Sequence, residues 1–265
     1  MLDREEQIVV SKNFQIERDG SWNHYEGTFT VDTTANDLRF ALLLPHKGKV
    51  YIDFVSMFPE NTFCGHKNGL REDVAGMLRD LRPDFVRWPG GCIVEGLTMD
   101  NRIKWKETIG DIVKRPGEYN LWGYRSTYGF GYHEFLQFCE DIDADGMFVC
   151  NAGMSCLFRN GDYWEEENRI DNLIQDACDA IEYALGDTTT VYGKRRAENG
   201  HAAPFPLKYV EVGNENVGLR YVKNYNRFYK AIKEKYPEMI VVGTVGPFNE
   251  GTDYVEGWKL ADKLG

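Results

Sequence analysis

No apolar run in this sequence approaches the roughly 18–20 residues that a membrane-spanning helix requires. Positive charge is scarce: 31 Lys and Arg stand against 42 Asp and Glu, a formal net charge of −11. That balance argues against a nucleic-acid partner, because binding a phosphate backbone needs clustered cations. The six cysteines (Cys64, Cys92, Cys139, Cys150, Cys156, Cys178) form no CxxC pair and show no even framework spacing. Several fall inside apolar periodic segments, where a free thiol acts as a small hydrophobe; a structural disulfide is the less favoured reading. The five histidines (His24, His46, His66, His133, His201) share no HxxxH spacing, so no metal site and no cofactor are expected. No Ser–His–Asp arrangement suggests itself. The start, Met-Leu-Asp-Arg-Glu-Glu, has neither a basic n-region nor an apolar h-region, and no signal peptide is visible.

What is present suffices for a folded domain. Of 265 residues, 42% are hydrophobic, enough to bury a core, and 28% are charged. An acidic chain with 14% aromatic residues suits a neutral polar ligand, of which sugars are one class. Residues 1–58 read as strands: Gln7–Val10, Tyr25–Val31, Leu38–Leu44 and Val50–Ser56, separated by turn formers such as Asp19-Gly20 and His46-Lys47-Gly48. Such a run predicts the end of an antiparallel β-sandwich, or else a small β-appendage of the following domain.

From Asn68 the rhythm changes. Leu70, Val74, Met77, Leu78 and Leu81 mark one helix face, with Asn68 placed as N-cap and Pro83 ending the helix. Strands are predicted at Asp84–Trp88, Met147–Cys150, Leu207–Val212 and Met239–Thr244. Between them lie helical patterns through Phe135–Ile142, Ile170–Leu185 and Val222–Tyr236, and Thr252–Leu264 looks like one more helix. A polar loop is expected after Leu185. Four alternations of strand and helix predict parallel sheet, because parallel neighbours need a crossover connection. An open doubly wound sheet and a (β/α)8 barrel both fit. Long loops at 89–130 and 151–163 follow strand C-termini, where barrel enzymes build their sites, and no Gly-rich phosphate turn follows the first strand. The barrel is favoured. Four strands cannot close one, so the chain is expected to be a piece: 1–58 from a sandwich, 59–265 from a partial barrel.

The strongest chemical signal is Leu207-Lys208-Tyr209-Val210-Glu211-Val212-Gly213-Asn214-Glu215-Asn216. A strand ends in glycine, then an amide and a carboxylate appear at the sheet rim. Glycosidic cleavage needs one carboxylic acid to protonate the departing oxygen and a second carboxylate at the anomeric centre. Glu215 fits the acid, and Asn214 fits a hydrogen bond to a neighbouring sugar hydroxyl. The bland alternative is a polar turn after a strand. Glu211 is a weaker candidate, facing either a barrel interior or a helix. In Phe85-Val86-Arg87-Trp88-Pro89-Gly90-Gly91-Cys92, Arg87 at a strand end could keep a carboxylate ionised or bind a hydroxyl; a structural ion pair is the plainer reading. Glu95, Trp105 and Trp122 lie in the loop that follows, where tryptophans either stack on sugars or anchor the loop. Asn151 ends a strand and would also reach the rim, although a lone Asn is more often a turn former.

These segments, with Asp53-Phe54-Val55-Ser56-Met57-Phe58-Pro59, Asn68-Gly69-Leu70-Arg71-Glu72-Asp73, Arg87-Trp88-Pro89-Gly90-Gly91-Cys92-Ile93-Val94-Glu95-Gly96, Trp105-Lys106-Glu107-Thr108-Ile109-Gly110, Cys150-Asn151-Ala152-Gly153-Met154 and Gly213-Asn214-Glu215, resemble the family-51 glycoside hydrolases, the α-L-arabinofuranosidases. Gly-Asn-Glu is common to a wide clan of barrel hydrolases; the Arg-Trp-Pro-Gly-Gly-Cys-Ile-Val-Glu-Gly segment is much narrower. The resemblance implies a retaining (β/α)8-barrel enzyme acting on terminal arabinofuranosyl units of arabinose-containing glycans. Glu215 would be the acid/base, Arg87 and Asn214 would shape the sugar subsite, and Trp105 would contribute to its wall. Cys92 would also belong to the sugar subsite; it stands where some members carry a hydrogen-bonding Asn, and Pro-Gly-Gly-Cys occurs in one branch of the family. The resemblance also implies that residues 1–56 end a β-sandwich inserted after the first barrel strand. The chain would then hold strands two to five, without the nucleophilic Glu of the seventh, and would be inactive alone. A periplasmic or extracellular location of the full-length protein is slightly favoured, and an oligomer is possible. The rival readings are a related clan hydrolase (a xylosidase or endoglucanase) and a non-catalytic carbohydrate-binding protein.

Overall fold

The alternation read after residue 68 appears in the computed structural model, which describes residues 1–32, 34 and 36–264. In chain order the elements are α1 (Glu72–Asp80), β1 (Phe85–Trp88), α2 (Gly91–Glu95), β2 (Glu118–Tyr119), β3 (Arg125–Ser126), α3 (Tyr132–Asp141) and β4 (Asp145–Cys150). They continue with α4 (Glu167–Leu185), α5 (Val191–Glu198), β5 (Leu207–Val212), α6 (Gly218–Lys235), β6 (Ile240–Gly243) and α7 (Gly251–Leu264). Gly265, the last residue of the expected barrel segment, lies outside the described residues. The chain divides into two compact units, Met1–Thr62 and Phe63–Gly265.

The second unit is an α/β fold on a parallel sheet ordered β1-β4-β5-β6, and β2 and β3 form a separate two-stranded antiparallel ribbon. Parallel neighbours present paired residues to the same face, and alternate residues point to opposite faces. Trp88, Phe148, Cys150, Val210 and Val212 therefore share one face, and all join the buried core formed with α3, α4 and α6. Trp88 stacks on Phe135 of α3 at 5.8 Å and on Phe148 at 6.3 Å between ring centroids. Such pairs add about 0.5–1.5 kcal/mol each beyond simple area burial. The opposite face carries Arg87, Met147, Val149, Tyr209 and Glu211 in register. None of the described helices is long and apolar enough to cross a membrane.

Three expectations need correction. Asn68 does not cap α1; it takes a left-handed φ of 55° in a turn closed by Gly69 N–H to His66 O at 3.0 Å. Asn tolerates that conformation, and the helix starts later, with Glu72 and Asp73 placed where its dipole favours negative charge. The polar stretch after Leu185 is not all loop. Thr190 caps α5 by accepting Gly193 N–H at 3.1 Å, and Arg196 is fully buried, donating to the carbonyls of Tyr183, Ala184, His201 and Ala202. Apolar periodicity is weak there because carbonyl pairing, rather than a hydrophobic stripe, secures the helix.

The third correction concerns the first unit, where none of the four predicted strands forms a ladder among the described residues. Isolated bridges link Leu2 to Ile8 and Leu2 to Arg39. Ile8, Leu43, Tyr51 and Val55 are all more than half exposed. A period-two pattern specifies a strand's faces but does not supply a neighbouring strand to pair with.

Candidate functional site

The chemistry gathers where β1 and β5 end. These strands are separated by β4, so their axes lie roughly 9–10 Å apart. Only long side chains cross that gap on the face away from the helices, and Arg87 and Glu211 do so. Arg87 Nε donates to Glu211 Oε2 at 2.5 Å and Nη2 to Oε1 at 2.7 Å, a two-pronged pair that holds the guanidinium charged. The same Nη2 donates to Asn214 Oδ1 at 2.9 Å. Gly90, at φ +65°, leaves room for this: a Cβ there would sit 2.3 Å from Arg87 Nη1.

Beyond β5 the chain turns sharply. Gly213 has φ +81°, and a Cβ on it would meet Asn216 Oδ1 at 2.3 Å. Glu215 itself is left-handed at φ 51°, a conformation that costs a non-glycine residue roughly 1–3 kcal/mol and must be imposed by its surroundings. Asn216 Oδ1 accepts from Asn214 N–H at 3.1 Å. Thr244 Oγ1 donates to Asn216 O at 2.5 Å, and the Tyr221 hydroxyl donates to Val212 O at 2.8 Å while accepting Thr244 N–H at 2.7 Å. The turn is thereby tied to the end of β6. The Glu215 side chain is half-buried, and among the described residues it enters no salt bridge or hydrogen bond. Its charge is felt by Arg87, Cys92 and Glu95.

Glu95 is the residue that sequence reasoning left without a role. It ends α2 and is only 1% exposed. One oxygen accepts Asn214 Nδ2 at 3.2 Å, the other Asn216 Nδ2 at 3.0 Å. It therefore clamps the amides on both sides of Glu215. Asn214 is oriented between a guanidinium and a carboxylate, and Asn216 between a backbone N–H and that same carboxylate. Burial raises the Glu95 pKa to about 7, against the lowering influence of these amides and with a further push from Glu215. The only prior signal was its position, three residues after Cys92, which on a helix puts both on one face.

Cys92 is partly exposed beside this group, and burial pushes its thiol up to about 12. All six cysteines are free thiols. Trp105, expected in the subsite wall, and Asn151, expected at the rim, are placed elsewhere. Trp105 is in the core, packed on Tyr132, Tyr183 and Tyr192, with its indole N–H donating to Asp176 O at 3.0 Å. Asn151 is buried, with Nδ2 donating to Val94 O at 2.9 Å and Met154 O at 3.0 Å while Oδ1 accepts Gly153 N–H at 2.7 Å. Its amide braces α2 against the loop after β4. Arg87, Cys92, Asn214 and Glu215 come together; Asn151 braces the helix that carries Cys92, and Trp105 belongs to the core. Trp122 is about half exposed on the turn between β2 and β3, within reach of Gly91.

A parallel α/β sheet with a carboxylate presented at the C-terminal rim, beside a fixed guanidinium and amide, has the layout of the barrel hydrolases. Comparison with known proteins narrows that class. The α-L-arabinofuranosidase 1 domain model matches residues 77–262, and the chain belongs to that family of family-51 glycoside hydrolases. An extracellular exo-α-L-arabinofuranosidase of Streptomyces chartreusis is 37% identical over 258 residues, covering 93% of this chain and 31% of the relative. α-L-Arabinofuranosidase 2 of Arabidopsis thaliana is 38% identical over 242 residues, 89% of this chain and 35% of the relative. The solved arabinose-bound α-L-arabinofuranosidase designated MgGH51 superposes with a TM-score of 0.63 at 35% identity, over 69% of this chain and 29% of that one. The Thermotoga maritima α-L-arabinofuranosidase, solved as an arabinose complex, shares the fold: TM-score 0.55 and 24% identity over 70% of this chain and 36% of that one. The chain thus spans about a third of the length of the curated relatives it matches.

Proposed function

We propose that the chain is the acid/base-bearing part of a retaining α-L-arabinofuranosidase that removes terminal arabinofuranosyl units from arabinose-containing glycans. The observation that carries this reading is the state of Glu215. Its carboxylate is imposed into a left-handed turn at the sheet rim and left without hydrogen bonds among the described residues, while its neighbours Glu95 and Glu211 each accept hydrogen bonds through both oxygens. A strained, unspent carboxylate between two clamped asparagines is arranged to meet something from outside.

In this reading Glu215 protonates the departing glycosidic oxygen and then deprotonates the water that releases arabinose. Arg87 and Asn214 line the sugar subsite, with Asn214 Nδ2 and Oδ1 fixed by Glu95 and Arg87 before any ligand arrives. Cys92 forms part of its edge. A retaining reaction needs a second carboxylate about 5–5.5 Å from the first. Glu211 is held by Arg87 and Glu95 by two amides, so neither is free to attack an anomeric carbon. The nucleophile belongs to the seventh strand of a barrel in which β1, β4, β5 and β6 are strands two to five. Residues 1–58 are assigned to the end of a β-sandwich on their sequence pattern alone, since no ladder forms among their described residues. The name of the Streptomyces chartreusis relative favours an extracellular setting.

The test is hydrolysis of 4-nitrophenyl α-L-arabinofuranoside. A protein containing this chain within a reading frame as long as its relatives releases 4-nitrophenol, and the 265-residue chain alone does not. Release by the chain alone, abolished by Glu215→Gln, would show that its own carboxylates complete the pair and would overturn the assignment of the nucleophile.

A further inference from the structure

Two thiols and a carboxylate converge behind the turn that carries Glu215. The Sγ atoms of Cys92 and Cys156 and a carboxylate oxygen of Glu95 all lie within 4.8 Å of one another. Among the described residues this is the one group of three His, Cys, Asp or Glu side chains close enough to share an ion. We propose that Cys92, Glu95 and Cys156 form a binding site for a thiophilic divalent cation of the Zn2+ or Cd2+ type.

The donor set suits such an ion. Tetrahedral zinc accepts thiolate sulfur at about 2.3 Å and carboxylate oxygen at about 2.0–2.2 Å, which puts donor atoms roughly 3.5–3.8 Å apart. Closing from 4.8 Å or less therefore asks for about 1 Å of adjustment per pair. The scaffold restricts that adjustment to side chains. Cys92 and Glu95 are three residues apart on one turn of α2 and project to the same side. Cys156 lies in the loop after β4, and its N–H donates to Gly96 O at 3.0 Å, which fixes it beside the residue that follows Glu95.

The surroundings supply what an ion site needs beyond its ligands. Glu95 and Cys156 are at most 1% exposed, whereas Cys92 is partly open to solvent and provides the approach. Each Glu95 oxygen accepts one amide hydrogen, and the carboxylate also accepts the Cys92 thiol hydrogen, which leaves when the thiolate binds the ion and frees a lone pair. Asn214 and Asn216 thus become the outer partners that orient a ligating carboxylate. Three protein ligands leave a fourth position for water or for the Glu215 carboxylate. Binding is balanced by protons: the two thiols release two H+ to solvent as two sulfur–metal bonds form. Sequence inspection missed the site because Cys92 and Cys156 are 64 positions apart, with no short-range spacing to betray them.

On the functional reading above, the ion would occupy the edge of the sugar subsite and inhibit turnover; the binding itself does not depend on that reading. The test is titration of the reduced chain with Cd2+, following sulfur-to-metal charge-transfer absorption and calorimetric heat, with circular dichroism to confirm that each variant folds. One equivalent is expected to bind. Cys92→Ser and Cys156→Ser each abolish the band, Cys64→Ser leaves it unchanged, and Asn216→Ala weakens binding roughly 10–100-fold, as loss of an outer partner does. A band that survives both Cys92→Ser and Cys156→Ser, or a folded wild-type chain that binds no tighter than those variants, overturns the proposal. Either result leaves the acid/base assignment of Glu215 standing, because no catalytic readout enters.

Discussion

The two units of this chain differ in what their hydrophobic residues achieve. In the unit from Phe63 onward, Tyr132, Phe135, Val210 and Phe228 are sealed from solvent and the charged site sits on a rigid sheet rim. In the unit from Met1 to Thr62, residues of the same kinds, such as Ile8, Leu43 and Tyr51, are exposed and joined only by isolated bridges among the described residues. Composition is similar; connectivity is not. A helix closes its hydrogen bonds within itself and needs one apolar stripe, whereas a strand needs a second strand in register before its pattern has any consequence. The contrast assigns both the stability and the chemistry to the second unit.

That assignment can be broken in several places. The largest effect is expected at Glu215: Glu215→Gln, in a protein of the relatives' length, lowers kcat/KM on an unactivated arabino-oligosaccharide roughly 10²–10⁴-fold, the range for loss of a general acid. Retained activity would move the acid elsewhere. Next is the core. Phe135 is sealed from solvent between Trp88 and Tyr132, and Phe135→Ala should cost about 3–5 kcal/mol in denaturant unfolding of the second unit.

The Glu95 clamp yields a pH dependence of intermediate size. Desolvation raises its folded-state pKa from 4.5 to about 7. Its stability contribution is therefore fully present below the unfolded value and is lost as pH rises through about 7. The Tm difference between wild type and Glu95→Gln should shift against wild type between about pH 5 and pH 8, and a difference independent of pH would show that Glu95 does not titrate there. Smallest is Leu43→Ala in the first unit. With 64% of its surface exposed, it should change stability by about 0.5 kcal/mol or less. A cost comparable to that of Phe135→Ala would erase the contrast between the units.

The sequence made the second unit legible through periodicity. β5 was predicted at its observed bounds, Leu207–Val212, and the other three strands of the parallel sheet to within two residues at either end. Rim residues were visible for a different reason: Arg87, Asn214 and Glu215 lie within three positions of glycines that mark sharp turns at strand ends. What was hidden depends on distance in sequence. Glu95 and Asn214 are 119 positions apart, and nothing local distinguishes a clamping carboxylate from one in a solvated loop. Trp105 and Asn151 were legible as special but not as buried, because a Trp or Asn near a strand end has the same spacing whether it faces a cleft or braces a loop. Arg196 was missed since its partners are backbone carbonyls, which leave no mark on side-chain pattern.

The central claim is that Glu215 donates and recovers a proton at the reacting oxygen. Azide rescue addresses it most directly. In a protein of the relatives' length, and with an aryl arabinofuranoside whose leaving group needs no acid, Glu215→Ala should form the glycosyl-enzyme but hydrolyse it slowly. Added azide should restore turnover and yield the arabinofuranosyl azide with retained configuration. Turnover by Glu215→Ala that is as fast as wild type, or an azide product of inverted configuration, would contradict the account.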